Sequence, residues 1–168
     1  MMSANAVFPT PDHDHAHCQA ALMARAERRC AERNVRLTPQ RRRVLEIIAA
    51  NHAAIGAYDI LGRLGGAGRS PAPVSVYRAV EFLQRHGLVH RVESLNAYVA
   101  CVRAGGPHPA QFLICRRCRT VAEMNSPVIE EAIATGAESA GFSMTEPVVE
   151  VGGVCLACSR VDREPLAS

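Results

Sequence analysis

The sequence predicts an α+β fold in two parts: a helical unit that closes with a β-hairpin, and a smaller α/β unit held by a metal site. Three observations predict it. Amphipathic helical patterns recur over residues 19–86, and two short β-like runs follow them. Two C-x-x-C pairs, Cys115–Cys118 and Cys155–Cys158, mark the second part. The net charge also changes sign between the two parts.

The charge asymmetry points to a nucleic-acid partner for the first part. Residues 24–91 hold 13 arginines against five acids, a net charge of +8, whereas residues 92–168 hold six against nine, a net charge of −3. All 19 basic residues are arginine, and the planar guanidinium suits phosphate. A basic face of this kind is typical of nucleic-acid binding, although a solvated arginine-rich surface has the same composition.

The N-terminal residues 1–18 are predicted to form a flexible, His-rich tail. They include the tract Asp12–Cys18, which carries three histidines and a cysteine. Such a tract either binds an additional metal ion or remains a disordered polar segment. An Ala-rich helix is predicted to follow at residues 19–33.

The next helix has a strong predicted start at Thr38-Pro39, with Thr as the N-cap and Pro at the first helical position. An apolar stripe from Val44 to Ile48 then faces the core. Arg41 and Arg43 lie at the exposed start of this helix, where their guanidinium groups are predicted to contact DNA phosphates.

Two further helices and a hairpin complete a winged-helix pattern over residues 19–102. The helices are predicted at residues 57–64 and 73–86, and the β-like runs at 88–92 and 97–101. In the second of these helices Val76 and Val80 face inward, whereas Ser75 and Arg78 lie on another face and are predicted to contact DNA. In a winged helix this last helix enters the major groove, and the hairpin is the wing.

The second part is predicted to be a small α/β domain at residues 110–160. A Gly- and Pro-rich hinge at 103–109 precedes it, and residues 161–168 read as a C-terminal tail. Strands are predicted at 112–115, 120–124 and 148–151. A helix at 127–140 has Ser126 as its expected N-cap and Pro127 at its first position.

The two C-x-x-C pairs predict a structural zinc site formed by Cys115, Cys118, Cys155 and Cys158. Structural zinc takes four ligands in a tetrahedron, and each pair supplies one edge. Free buried thiols or a redox pair are the alternatives, but two matching pairs favour metal, and no βαβ context supports redox chemistry. Zinc would stabilise a domain whose hydrophobic core is too small to stabilise it alone.

Several function classes are disfavoured by what the sequence lacks. It contains no long apolar segment and no secretory signal pattern, so we expect a cytoplasmic location without membrane contact. No nucleophile–base motif is visible, and a catalytic zinc would need an open coordination position. We therefore expect no enzymatic activity and no small-molecule substrate.

Six sequence blocks together resemble the ferric uptake regulator family, and within it the zinc uptake regulator branch. They occur in order within residues 30–158, a span of about three quarters of the chain. The blocks are Arg33–Arg41, Ala57–Asp59, Val76–Ala79, His90–Ser94, Phe112–Cys118 and Cys155–Cys158.

This resemblance implies a homodimeric repressor that dimerises through its C-terminal domain. It implies binding to an AT-rich inverted repeat upstream of zinc-uptake genes when a regulatory metal is bound. It also implies base contacts from Tyr58 and Arg78. The implied regulatory zinc ligands are His90, Cys101, His108 and Glu123, which gives two zinc ions per protomer.

Spacing alone is weak evidence for this second set. Each member has an ordinary structural role available, as a wing residue, a core thiol, a loop histidine or a solvated carboxylate. The sequence also departs from iron-sensing relatives, because His108 stands alone where those carry several histidines. One thiolate, two imidazoles and one carboxylate suit zinc better than manganese or iron.

Two alternatives remain at this point. Within the family, the sensed signal could be iron, nickel, manganese or peroxide. From another class, an RNA-binding or scaffold protein with a zinc knuckle would share the basic face and the four cysteines. That protein would show no metal-dependent DNA binding.

Overall fold

The computed structural model describes residues 8–9, 14–65, 72–103 and 108–161, and the fold is α+β as predicted. The first part holds four helices and a two-stranded sheet, and the second holds a three-stranded sheet and two helices. The predicted tails and the hinge fall partly outside the described residues. The helices are α1 (His15–Glu32), α2 (Pro39–Ile48), α3 (Ala57–Gly65), α4 (Pro73–Arg85), α5 (Pro127–Ser139) and α6 (Leu156–Val161). The strands are β1 (Val89–Val92), β2 (Ala97–Ala100), β3 (Ala110–Cys115), β4 (Val121–Met124) and β5 (Val148–Gly153).

Helix α1 begins four residues earlier than the sequence pattern predicts. The Asp14 side chain accepts a hydrogen bond of 3.0 Å from the backbone N–H of His17, which caps the helix at that point. The end of the predicted His-rich tail, from His15 to Cys18, is therefore helical. The helix ends at Glu32, and two residues later Asn34 has a φ of 52°, which an asparagine side chain tolerates.

The first hydrophobic core lies between α1, α2, α3 and α4. Thr38 caps α2 as predicted, accepting a hydrogen bond from the backbone N–H of Arg41. The predicted inward face of α4 is buried and packs against the apolar stripe of α2. The fully buried members of this core include Val44, Leu45, Ile48, Ile60, Val76, Val80 and Leu83.

The hairpin after α4 completes the winged helix. Strand β1 pairs antiparallel with β2, with His90 opposite Val99. The connection between the two strands is a short 3₁₀ helix at Glu93–Leu95, closed by Asn96 with a φ of 46°.

In the second part, β3 lies in the centre of the sheet, antiparallel to β4 and parallel to β5. Ser126 precedes α5 as expected, but its side chain makes no capping hydrogen bond. Gln111 of β3 holds the backbone of Ser126 in place instead. Its Nε2 donates to the carbonyl of Ser126, and its Oε1 accepts from the backbone N–H of Ser126, both at 3.1 Å. The buried amide therefore fixes the start of α5.

The two parts share a second hydrophobic core. Val92 and Val99 of the wing pack with Phe112 and Ile114 of β3 and with Val121 of β4. The backbone N–H of Val121 also donates a 2.9 Å hydrogen bond to the carbonyl of His52, which lies in the loop before α3. The wing is therefore packed against the C-terminal sheet.

Among the described residues, no helix is both long and apolar enough to cross a membrane.

Candidate metal centres and nucleic-acid interface

The four cysteines meet at one end of the C-terminal sheet. Cys115 is the last residue of β3 and Cys118 lies in the turn after it, whereas Cys155 follows β5 and Cys158 lies in α6. Because β3 and β5 are parallel neighbours with Cys115 opposite Gly153, both pairs emerge at the same edge. The sheet thus brings together cysteines that lie about 40 residues apart in sequence.

The sulfur positions fit a tetrahedral ion. All four Sγ atoms lie within 4.8 Å of one another, and those of Cys118 and Cys155 are 3.8 Å apart. Zinc–sulfur bonds of about 2.3 Å would give a tetrahedral edge of about 3.8 Å. Burial alone would raise the pKa of Cys115, but backbone N–H hydrogen bonds from Cys155, Cys118 and Arg117 outweigh it and lower the pKa to about 6. This environment favours the thiolate, which is the form that binds zinc.

The second predicted set also meets in space. His90 lies on β1, Cys101 directly follows β2, His108 precedes β3, and Glu123 lies on β4. One ligand atom from each lies within 4.8 Å of the others. The Nε2 of His108 is 2.6 Å from Oε1 of Glu123 and 3.8 Å from Sγ of Cys101, and the Nε2 of His90 is 3.6 Å from the same Glu123 oxygen.

The polar atoms of this cluster have the character of metal ligands. The Glu123 side chain is only 3% exposed, and an uncompensated buried carboxylate is costly. The Nε2 of His90 is also buried, with no hydrogen-bond partner among the described residues. A divalent cation would compensate the carboxylate charge and coordinate this nitrogen.

The pKa values of His90 and Cys101 also favour metal binding at this cluster. Burial lowers the pKa of His90, although Glu123 opposes the shift, so the imidazole is held in the neutral, ligating form. Burial and Glu123 raise the pKa of Cys101 to about 11. The Cys101 thiolate therefore needs a cation beside it, which couples ligation to proton release.

Glu150 of β5 joins the wing to the C-terminal sheet, and no motif marks it in the sequence. Its carboxylate accepts hydrogen bonds from the backbone N–H groups of Glu93, at 2.6 Å, and Ser94, at 3.0 Å. Burial alone would raise the pKa of Glu150, but the bonds from Ser94 and Glu93 outweigh it and lower the pKa below its ordinary value of 4.5. The contact holds the tip of the wing to the same sheet that carries Glu123.

We expect Glu150→Gln to lower the free energy of unfolding by about 1 kcal/mol at pH 7, because an amide replaces a charged acceptor at a partly exposed contact. Since folding lowers this pKa, the stabilisation is present above pH 4.5 and is lost as the pH falls through the folded-state value. Urea unfolding of variant and wild type from pH 7 downwards measures the difference.

The exposed Glu146→Gln is the matched control, because no described hydrogen bond or ion pair to its side chain would be lost. It should stay within about 0.5 kcal/mol of wild type. An equal effect of the two substitutions at every pH would refute the role of Glu150.

The predicted base-reading residues project from the basic unit. Tyr58, at the start of α3, is 82% exposed. Tyrosine side chains are usually at least partly buried, so this ring is available to a binding partner. Arg78 of α4 is exposed on the face opposite the buried Val76 and Val80. The Ser75 hydroxyl donates a 2.6 Å hydrogen bond to the carbonyl of Ala72, so its oxygen helps to close the first turn of α4.

The two predicted phosphate-contacting arginines differ in their surroundings. The guanidinium carbon of Arg41 lies 3.6 Å from the centre of the Phe82 ring, and its Nη1 donates to the carbonyl of Arg36 at 2.7 Å. Arg43 is 61% exposed and pairs with Glu46 at 3.2 Å. An exposed pair of this kind is weak, so Arg43 is available to phosphate at little cost.

The fold and the clusters define a class of protein: a winged helix joined to a small α/β domain, with a four-cysteine cluster and a mixed His–Cys–Glu cluster beside the wing. The profile of the ferric uptake regulator family matches residues 32–151. The chain belongs to the ferric uptake regulator family.

Individual relatives agree with this assignment. The chain is 44% identical over 142 residues to the zinc uptake regulation protein of Escherichia coli strain K12, covering 84% of this chain and 83% of that protein. It also resembles a zinc uptake regulator solved with zinc and DNA, at 42% identity with a TM-score of 0.81, over 87% of this chain and 98% of that one.

A third relative has been solved in two states. Holo XcZur matches with a TM-score of 0.75 at 36% identity, over 88% of this chain and 99% of that one. Apo XcZur matches with a TM-score of 0.52 at 35% identity, over 85% and 99%. The chain is therefore more similar to the holo structure than to the apo structure.

Proposed function

We propose that the protein is a zinc-responsive transcriptional repressor that binds DNA as a homodimer when its regulatory zinc site is filled. One observation carries the proposal. The His90–Cys101–His108–Glu123 cluster draws two ligands from the wing side of the chain and two from the C-terminal side. The family is one of regulators and not of enzymes, and a relative of the same fold has been solved with zinc and DNA.

Zinc at this cluster would hold the winged helix at one angle to the C-terminal sheet. The two recognition helices of a dimer must lie one helical turn of DNA apart, or a multiple of it. The angle between the winged helix and the C-terminal sheet therefore determines whether both recognition helices can reach their half-sites at the same time. By linkage, DNA should raise the affinity for zinc by the factor by which zinc raises the affinity for DNA.

The likeness to holo rather than apo XcZur supports this mechanism. Sequence identity is nearly the same for the two, at 36% and 35%, yet the TM-score is 0.75 against the holo structure and 0.52 against the apo structure. The donor set of one thiolate, two imidazoles and one carboxylate favours zinc over manganese or iron. We propose two zinc ions per protomer, one in each cluster.

An apolar surface on the C-terminal part supports dimerisation there. In the single chain α5 contains no buried residue, and β5 is largely exposed. Several exposed apolar side chains on one domain are typical of a homodimer interface. Those of the C-terminal part include Val128, Ile133, Phe142, Met144, Val148 and Val151.

These features support the division made from sequence into a DNA-binding domain ending at 102, a hinge at 103–109 and a dimerisation domain at 110–160, with the predicted start of the first domain moved from residue 19 to His15, where α1 begins. The proposed target is an AT-rich inverted repeat upstream of zinc-uptake genes. A protein that reads such a site in a bacterium works in the cytoplasm.

A zinc titration of DNA binding tests the function. We expect chelator-treated protein to keep one zinc ion per protomer, because the all-thiolate site is closed, and to bind an inverted-repeat operator weakly. Adding one further equivalent should restore tight binding. Operator binding that ignores zinc, or that responds to iron or manganese instead, would contradict the proposal.

Arg78 should carry sequence discrimination. We expect Arg78→Ala to cost about 1–3 kcal/mol on the operator and much less on unrelated DNA, since a base contact specifies the sequence. Arg43→Ala is the control, because losing a phosphate contact should weaken all sequences alike and flatten the salt dependence. An Arg78→Ala variant with unchanged sequence preference would show that α4 does not read the bases.

A further inference from the structure

A cavity of about 360 Å³ lies behind the winged helix, between α1 and the segments that flank the wing. Its wall includes Gly87 and Leu88, before β1, and Cys101, after β2. One acidic side chain, Glu32, also lines it, so the lining residues carry a net charge of +4. The arginines that line it are Arg25, Arg28, Arg29, Arg33 and Arg103.

Two of these arginines are fixed by backbone contacts. The Nη2 of Arg25 donates to the carbonyl of Cys101 at 3.2 Å, and the Nη1 of Arg29 donates to the carbonyl of Gly87 at 3.3 Å. A Cβ at Gly87 would lie 2.8 Å from the Nη2 of Arg29, and the φ of Gly87 is +62°. A glycine at this position therefore allows the guanidinium to lie against the backbone.

Further donor atoms of these arginines remain unused. The Nε and Nη2 of Arg29 and the Nη1 of Arg103 are buried, with no hydrogen-bond partner in the described part of the chain. Most buried donors in proteins are paired, and an unpaired one is costly. Burial, and next to it the neighbouring Arg33, also lower the pKa of Arg29. An acceptor with negative charge would relieve both costs.

We propose that this cavity is a binding site for a small anion of the phosphate class. Guanidinium groups present paired N–H donors that match phosphate oxygens. The occupant is a free anion rather than the DNA backbone. The cavity lies past the end of α4, and Arg85 at that end is about 10 Å along the helix from the base-reading Arg78. The site lies apart from the four-cysteine cluster and shares one wall residue, Cys101, with the mixed cluster, but none of its arginines belongs to either cluster.

Inorganic phosphate is the probe, added to zinc-loaded dimer that is free of excess zinc. Calorimetry, or phosphorus NMR line broadening, should detect saturable binding of one phosphate per protomer. We expect Arg29→Gln to weaken it at least tenfold. Arg36→Gln makes the same change in net charge outside the cavity and should leave it unchanged.

The double variant Arg28→Gln/Arg33→Gln gives a second test if Arg29→Gln fails to fold, because both side chains are exposed. It too should bind phosphate at least tenfold more weakly. An absence of saturable binding, or an equal loss in Arg36→Gln, would overturn the proposal. A third outcome would also overturn it. If wild type does not bind phosphate and the double variant binds a DNA duplex that lacks the operator more weakly than wild type does, the arginines contact the DNA backbone.

Discussion

Replacing Cys118 with serine is expected to abolish the folded dimer. Zinc in a four-thiolate site contributes roughly 10–16 kcal/mol to the folding of small zinc domains, which matches or exceeds the roughly 5–15 kcal/mol net stability of a typical domain. Serine is a poor zinc ligand at neutral pH, so the variant should lose this zinc. The remaining contacts would then have to hold the C-terminal part alone.

Those contacts are few. In the single chain neither α5 nor β5 buries a complete side chain, and the shared core near β3 is small. The cysteines also fix the turn after β3 to the segment after β5, where the backbone N–H of Cys155 donates to the Cys115 sulfur. Losing the metal releases that end of the sheet, and with it the surface proposed for dimerisation.

Size-exclusion chromatography with zinc analysis measures the outcome. Cys18→Ser is the matched control, because it makes the same chemical change at an exposed cysteine outside both clusters. It should remain a dimer with its zinc content unchanged. A Cys118→Ser variant that keeps the dimer and two zinc ions per protomer would contradict the structural assignment of this cluster.

Local features of the fold were predictable because short stretches of sequence determine them. Thr38-Pro39 starts α2 and the apolar stripe after it reaches the core, as the spacing predicts. The start of α1 was wrong by four residues, because the polar Asp12–Cys18 tract hid a capping aspartate. The N-cap position of α5 at Ser126 was predicted correctly, but the contact that Gln111 of β3 makes with the Ser126 backbone was not, because the two residues lie far apart in sequence.

In the candidate site, too, residues that are close in sequence were predictable and contacts between distant residues were not. The C-x-x-C spacing identifies four cysteines from sequence alone, because each pair is local. The four ligands of the second cluster come from separate elements, so only the family resemblance selected them. Glu150 was not predicted at all, because a single carboxylate that contacts a distant backbone leaves no pattern in the sequence.

Replacing Cys101 with serine is expected to leave a folded dimer that no longer binds the operator in response to zinc. Cys101 lies where the wing meets the hinge, and its sulfur is 3.8 Å from the Nε2 of His108. Loss of a ligand's hydrogen-bond partner typically lowers metal affinity roughly 10- to 100-fold. Removing a direct ligand should lower the zinc affinity of the regulatory cluster by more than that. The four-cysteine cluster lies elsewhere in the chain, so one zinc ion per protomer should remain.

Cys30→Ser separates ligation from packing, because Cys30 is equally buried, at 3% against 4% for Cys101, and belongs to neither cluster. If Cys101 only fills space, the two serine variants should lose similar stability and both keep zinc-dependent binding. If Cys101 is a ligand, only Cys101→Ser should lose the response, and His90→Ala should reproduce that loss. A zinc titration of operator binding, run beside size-exclusion chromatography on all three variants, decides between these outcomes. Wild-type zinc dependence in Cys101→Ser would move the search for the sensor to the histidines between Asp12 and Cys18.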